Sequence, residues 1–126
     1  MYKNRIYYED TDCGGIVYHS NYLKFCERAR SELFFENGIR FENIGFVVKE
    51  LNASFIKAAK LGDIVEINTY VIGIKKCSVL MEQNICIKNK PIFESKITLV
   101  CIDIKKNKIS KIPRDLLKII ENIRRH

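Results

Sequence analysis

Between Tyr8 and Tyr22 the chain reads Tyr-Glu-Asp-Thr-Asp-Cys-Gly-Gly-Ile-Val-Tyr-His-Ser-Asn-Tyr. Three carboxylates (Glu9, Asp10, Asp12), His19, three tyrosines and the pair Gly14-Gly15 crowd this stretch. A carboxylate here can attack a carbonyl carbon, or take a proton from a water that attacks it. The residues that follow have helical spacing. A helix start offers unpaired backbone N–H groups, which suit an anion or a carbonyl oxygen gaining negative charge. Gly14 and Gly15 allow a sharp turn and a close approach of substrate to the backbone. The same residues also suit a plain acidic turn before a helix, since carboxylates are stabilised at helix N-termini. Residue types alone do not choose among the three acids.

The elements that must hold this loop follow from hydrophobic period. Tyr2 to Tyr8 reads as a short aromatic strand, and Glu9 to Gly15 as a polar loop. From Asn21 to Asn37, Tyr22, Phe25, Cys26, Ala29, Leu33 and Phe34 recur at three- and four-residue steps, which predicts the one long central helix. Ser20 or Asn21 is its expected cap and Gly38 its stop, while Glu27, Arg28 and Arg30 fall on its charged face. The period then becomes two, with strands expected over Phe46 to Ile56, Ile64 to Ile74, Cys77 to Ile87 and Ile92 to Ile104. Short connections at Leu61-Gly62-Asp63, Lys75-Lys76 and Asn89-Lys90 suit antiparallel neighbours. Pro113 opens a last helix with an apolar stripe of Leu116, Leu117, Ile120 and Ile123. The order β-α-β-β-β-β-α predicts an α+β fold and a single domain over residues 1–126. Five strands with one central helix leave a face or edge uncovered, which points to a homo-oligomer.

Composition narrows the functional classes. The chain carries a net charge of +7, and from Ile104 to His126 eight Lys or Arg stand against Asp115 and Glu121. Such a surplus fits an anionic partner or phosphorylated ligand, though an overall Lys-rich drift explains it equally well. No aromatic residues interleave with the basic run, so nucleic acid is not an expected partner. The five cysteines form no Cys-x-x-Cys pair, and the two histidines complete no zinc spacing, so a metal site is not expected. No stretch approaches the roughly 20 apolar residues of a membrane span, so stable membrane insertion is not expected. The N-terminal residues show no apolar signal core, and cytoplasmic residence is the expectation.

Several segments together resemble a known family: Tyr7-Tyr8-Glu9-Asp10-Thr11-Asp12, Gly14 to His19, Asn21 to Phe25 and Glu27-Arg28-Ala29-Arg30. With Leu61-Gly62-Asp63, Glu82-Gln83, Thr98 to Asp103 and Ile112-Pro113, they are similar to the acyl-CoA thioesterases associated with the Tol–Pal system. That family is a 4-hydroxybenzoyl-CoA thioesterase-like branch of the hot-dog fold. The resemblance implies a long helix wrapped by a curved five-stranded antiparallel sheet. It implies dimers, often paired into tetramers, with sites at the dimer interface. It places the catalytic carboxylate at Asp12 and the carbonyl-polarising backbone N–H at the helix start, most closely His19.

On that resemblance, the candidate catalytic residues are Asp12 and His19. Gly15, Tyr18, Asn21, Tyr22, Lys57 and Lys60 are the candidate substrate contacts, the two lysines for phosphates of coenzyme A. The expected substrate is an acyl-CoA, with acyl carrier protein as a second carrier. A thiol of ordinary pKa, about 8.5, leaves far more readily than an alkoxide, so thioester hydrolysis needs no cofactor and none is expected. The chain departs from the family at Cys13, where a small residue without sulfur is usual. It also has Lys57-Ala58-Ala59-Lys60 where relatives carry Lys-Pro-Ala-Arg. Two alternatives stand beside hydrolysis: a hot-dog dehydratase, for which no proline-rich motif surrounds His19, and a non-catalytic module binding an acyl carrier or another anionic partner.

Overall fold

The structure is a computed structural model that describes residues 1–125, so His126, the last residue of the expected domain, lies outside the described residues. Six strands and two helices follow one another as β1 (Tyr2–Arg5), α1 (His19–Glu36), β2 (Ile44–Phe55), β3 (Ile64–Ile74), β4 (Ser78–Ile87), β5 (Lys90–Asp103), β6 (Lys108–Ile109) and α2 (Arg114–Arg125). The strands form one sheet in the order β1-β3-β4-β5-β2, with the two-residue β6 paired to β5. β1 runs antiparallel to β3, with Tyr2 opposite Ile67, and β6 runs antiparallel to β5. The five expected strands are present in their expected order. β6 is an addition too short to show a period.

Boundaries moved where local hydrogen bonding outweighed hydrophobic spacing. β1 stops at Arg5, and Tyr8–Asp10 forms a 3-10 turn closed by the Asp10 N–H donating to Tyr7 O at 3.0 Å. Helix α1 starts at His19, so Ser20 and Asn21 lie inside its first turn rather than capping it. The Asn21 side chain donates instead to Asp10 O at 2.9 Å, which ties the helix start to the acidic loop. At the other end Gly38 has φ +81, Gly38 N–H donates to Phe35 O, and Ile39 N–H donates to Phe34 O. This is the six-to-one and five-to-two pairing that stops a helix at a left-handed glycine. Between β4 and β5, Lys88 and Asn89 have φ 49 and 66, the mirror-image turn whose twist suits a two-residue hairpin.

The chain divides into two compact units. The first comprises Met1–Glu32, Ala53–Thr69 and Gln83–Ser95. Its core gathers Ile6, Tyr22, Phe25, Val65, Ile67, Ile85 and Phe93. The rings interlock, with Tyr22 stacked on Phe93 at 5.6 Å and edge-on to Phe25 at 6.3 Å. The second comprises Leu33–Asn52, Tyr70–Glu82 and the residues from Lys96 onward. Its core joins Phe34, Val71, Val79, Met81, Leu99 and Ile120, with Leu116, Leu117 and Ile123 of α2 packed against it. The alternation on β4 buries Val79, Met81, Gln83 and Ile85, so one polar residue sits on the inward face. No helix among the described residues is long and apolar enough to cross a membrane.

Candidate active site

Asp12 stands at the head of a tight turn in the first unit. Its N–H donates to Ile16 O at 2.9 Å, its carbonyl accepts Gly15 N–H at 3.1 Å, and Thr11 bridges to Val17. Gly15 closes the turn at φ +78, a conformation that a side chain would strain. The Asp12 carboxylate faces solvent, and its Oδ1 accepts Gly14 N–H at 2.8 Å. A Cβ on Gly14 would lie 3.2 Å from that oxygen, so the absence of a side chain there lets the backbone orient the carboxylate.

The other two acids are occupied differently. Asp10 Oδ2 accepts Tyr7 N–H at 2.9 Å, and its carbonyl accepts the Asn21 side chain and Tyr18 N–H. It is a turn-former. Glu9 is an exposed member of the same 3-10 turn.

One cleft of about 350 Å³ collects Asp12, Tyr18, His19, Tyr22 and Lys57. Its apolar wall comes from Ile16, Val17, Phe55, Ile56 and Ala58. The loop carrying Asp12 and the start of α1 therefore line the same cleft. Tyr18 N–H is taken by Asp10 O at 3.2 Å and Asn21 N–H by Tyr18 O at 2.9 Å. First-turn N–H groups have no acceptor within their own helix. His19 and Ser20 N–H consequently remain without a backbone partner among the described residues. The His19 ring is exposed, 4.5 Å from the Tyr18 ring and 6.3 Å from that of Phe55.

Tyr22 is buried, and its hydroxyl oxygen accepts Ala59 N–H at 2.9 Å. Burial pushes its phenol pKa up; the Ala59 bond opposes that and Asp63 reinforces it. Tyr22 is thus a protonated wall of the cleft, holding the segment between β2 and β3 against the helix. Gly15, Asn21 and Lys60 lie outside the lining. Gly15 shapes the turn and Asn21 braces Asp10, while Lys60 N–H donates to Asp63 Oδ2 at 2.8 Å.

Sequence reasoning missed two contributions. Phe55 ends β2 and Ile56 follows it, and only the folding of that strand end beside the helix start shows that they line the cleft. The second is a buried polar knot around Gln83. Its Nε2 donates to Cys26 O at 2.8 Å and to Thr69 Oγ1 at 2.9 Å, while its Oε1 accepts Arg30 Nη1 at 3.3 Å. Arg30, expected on the charged face of the helix, is half-buried and turned onto this amide. Desolvation lowers its pKa, against the opposing influence of Cys26 and Glu27. It forms no salt bridge among the described residues, where Lys3–Glu66 is the ion pair present.

Comparison with known proteins decides the family. The model of the thioesterase-like superfamily matches residues 7–120. The chain belongs to the thioesterase-like superfamily. Among its relatives, the acyl-CoA thioesterase YbgC of Helicobacter pylori is 49% identical over 88 residues, covering 68% of this chain and 66% of the relative. The match thus spans just under two thirds of that relative's length. The acyl-CoA thioester hydrolase YbgC of Escherichia coli is 34% identical over 119 residues, covering 90% of this chain and 89% of the relative. A gentisyl-coenzyme A thioesterase of known structure superposes with a TM-score of 0.88 at 25% identity, covering 97% of this chain and 100% of that one. Superfamily membership and these neighbours establish the hot-dog fold expected from the resemblance. The family match includes the Asp12 loop, the start of α1 and the end of β2.

Proposed function

We propose that this chain is an acyl-CoA thioester hydrolase whose Asp12 supplies the reacting electron pair. The observation that carries this reading is the shared cleft: Asp12 and His19, the first residue of α1, whose N–H has no backbone partner among the described residues, line one apolar-walled space. The acyl carbonyl oxygen sits toward His19 N–H, where charge developing on oxygen is stabilised. Ionised Asp12 then adds to the carbonyl carbon, or takes a proton from a water that adds. The C–S bond breaks and coenzyme A leaves as its thiolate, which takes up the proton released by water. On the water route this frees the acid directly, and on the direct route water then hydrolyses the Asp12–acyl anhydride. The His19 side chain, beside Tyr18, borders the path of that water.

Lys57, which lines the cleft, contacts coenzyme A phosphates, and Lys60 contributes from the adjoining exposed backbone. Tyr18 and Tyr22 border the acyl group, while Gly15 and Asn21 act through the loop they shape. β2 ends the strand order and leaves an edge that a second copy can continue, which supports a dimer and a pair of dimers. We take residues 1–126 as one domain, since α1 and β2 to β5 each contribute residues to both units. The five cysteines are free thiols, in keeping with a reducing cytoplasm.

A thiol-release assay over acyl-CoA chain lengths, repeated with acyl carrier protein thioesters, tests this reading. Asp12→Asn keeps an oxygen to accept Gly14 N–H but loses the carboxylate's basicity. Turnover is expected to fall about a thousandfold with the melting temperature unchanged. A folded Asn variant with wild-type turnover overturns the assignment.

A further inference from the structure

Cations that the cleft does not use gather in the second unit. A groove of about 410 Å³ is rimmed by Lys75, Lys76, Lys111 and Arg124, with Glu121 as its one acid. Its floor is apolar: Ile74, Ile112 and Leu117. Backbone bonds hold the rim together. Lys75 N–H donates to Ser78 O at 2.8 Å, and Ile112 N–H donates to Lys76 O at 3.0 Å. Arg124 Nη2 reaches Ile72 O at 3.3 Å. None of the four cations is in a salt bridge among the described residues. Like charges brought together in this way repel, and a bound anion relieves the repulsion.

The chain leading into the groove adds an apolar component. The β5–β6 hairpin carries Lys105, Lys106 and Lys108 between Ile104 and Ile109, which are 46% and 70% exposed. Lys106 N–H donates to Asp103 Oδ1 at 3.0 Å and Asn107 takes φ 52, so the tip is a formed turn. Ser110 then passes directly to Lys111 on the rim. Lysines interleaved with exposed aliphatic residues match a surface that is anionic outside and apolar within. Neither groove nor tip holds an aromatic ring on which a nucleic-acid base could stack.

We propose that this basic groove and hairpin dock the protein peripherally on an anionic phospholipid bilayer, the groove cations taking lipid phosphates and Ile109 entering the headgroup boundary. The surface shares no residue with the Asp12 cleft, and the proposal stands apart from the catalytic one.

Vesicle flotation with the intact protein tests it, using phosphatidylcholine alone and phosphatidylcholine with about a third phosphatidylglycerol. Flotation is expected only with the anionic vesicles, and is expected to be lost as salt rises from about 0.05 M to 0.5 M. The Lys75→Glu/Lys111→Glu variant should partition about tenfold less. Ile109→Ser should partition less at fixed salt, and thiol release in vesicle-free buffer should match wild type for both variants. No flotation, equal flotation on neutral vesicles, or a double variant that floats like wild type overturns the proposal. So does salt-sensitive retention on RNA or on an acidic soluble protein in place of anionic vesicles. The salt series on the wild-type protein decides the question even if the double variant fails to fold.

Discussion

The two compact units differ in what their interiors are made of. The first mixes an aromatic cluster with the buried Gln83 knot, and it carries the Asp12 cleft. The second is closed by aliphatic residues and three stacked or edge-on phenylalanines, Phe34, Phe41 and Phe46, and the cations of the proposed docking surface stand on its exterior. In the first unit a core residue can also be a wall of the site: Tyr22 lines the cleft and stacks on Phe93, which in turn meets Phe55 at 5.1 Å. Packing and the proposed chemistry therefore share residues in the first unit, and the proposed docking surface of the second is expected to be separable from its core.

Substitutions in each unit can break that comparison. Asp12→Asn has the largest expected effect, and it falls on activity alone. Next comes Phe93→Ala, which leaves a cavity under Tyr22 and Phe55 and should cost about 4 kcal/mol of stability. It should also lower kcat/KM in the fraction that remains folded. Met81→Ala in the second unit should cost a comparable 2–5 kcal/mol, roughly, while leaving kcat/KM of the folded protein near wild type. Urea unfolding read beside thiol release separates the two outcomes. A Phe93 variant with unaltered catalysis would show that the units are equally insulated.

A smaller effect is expected from Gln83→Leu. It fills similar space but leaves Arg30, Cys26 O and Thr69 without their partner, a loss of about 3 kcal/mol readable in the same urea series. If stability rises instead, the knot is not a stabilising feature of the first unit.

The smallest effect concerns pH. Burial pushes the Cys26 thiol well above the ordinary thiol range, up to about 12. The unfolded chain therefore loses this proton first as pH rises. The thiol's contribution is fully present below about pH 9 and is lost as pH climbs toward 12. Cys26→Ala should flatten the fall of unfolding free energy across that window. At neutral pH a thiol reagent should label exposed Cys13 while Cys26 stays protected.

Much of this architecture was legible residue by residue. The period of α1, the alternation of β3 and β4, the Gly38 stop and the Gly14-Gly15 turn are local properties of neighbouring residues, and each appears where spacing placed it. The start of α1 was misplaced because Asn21 bonds to Asp10, eleven residues back, rather than capping its own helix. Arg30 was assigned to the charged face because helical spacing reports angle, and not what the sheet brings against that angle.

The Asp12 loop and the helix that follows it are thus properties of the sequence itself, since turn chemistry and helical period act over a few residues. Only the tertiary structure decided that Lys57 lines the cleft while Lys60 does not, and that Phe55 and Ile56 complete its wall. It alone assembled Lys75 and Lys76 with Lys111 and Arg124 on one rim. Those groups are far apart along the chain, and strand pairing with long-range packing, which no local pattern encodes, sets their distances.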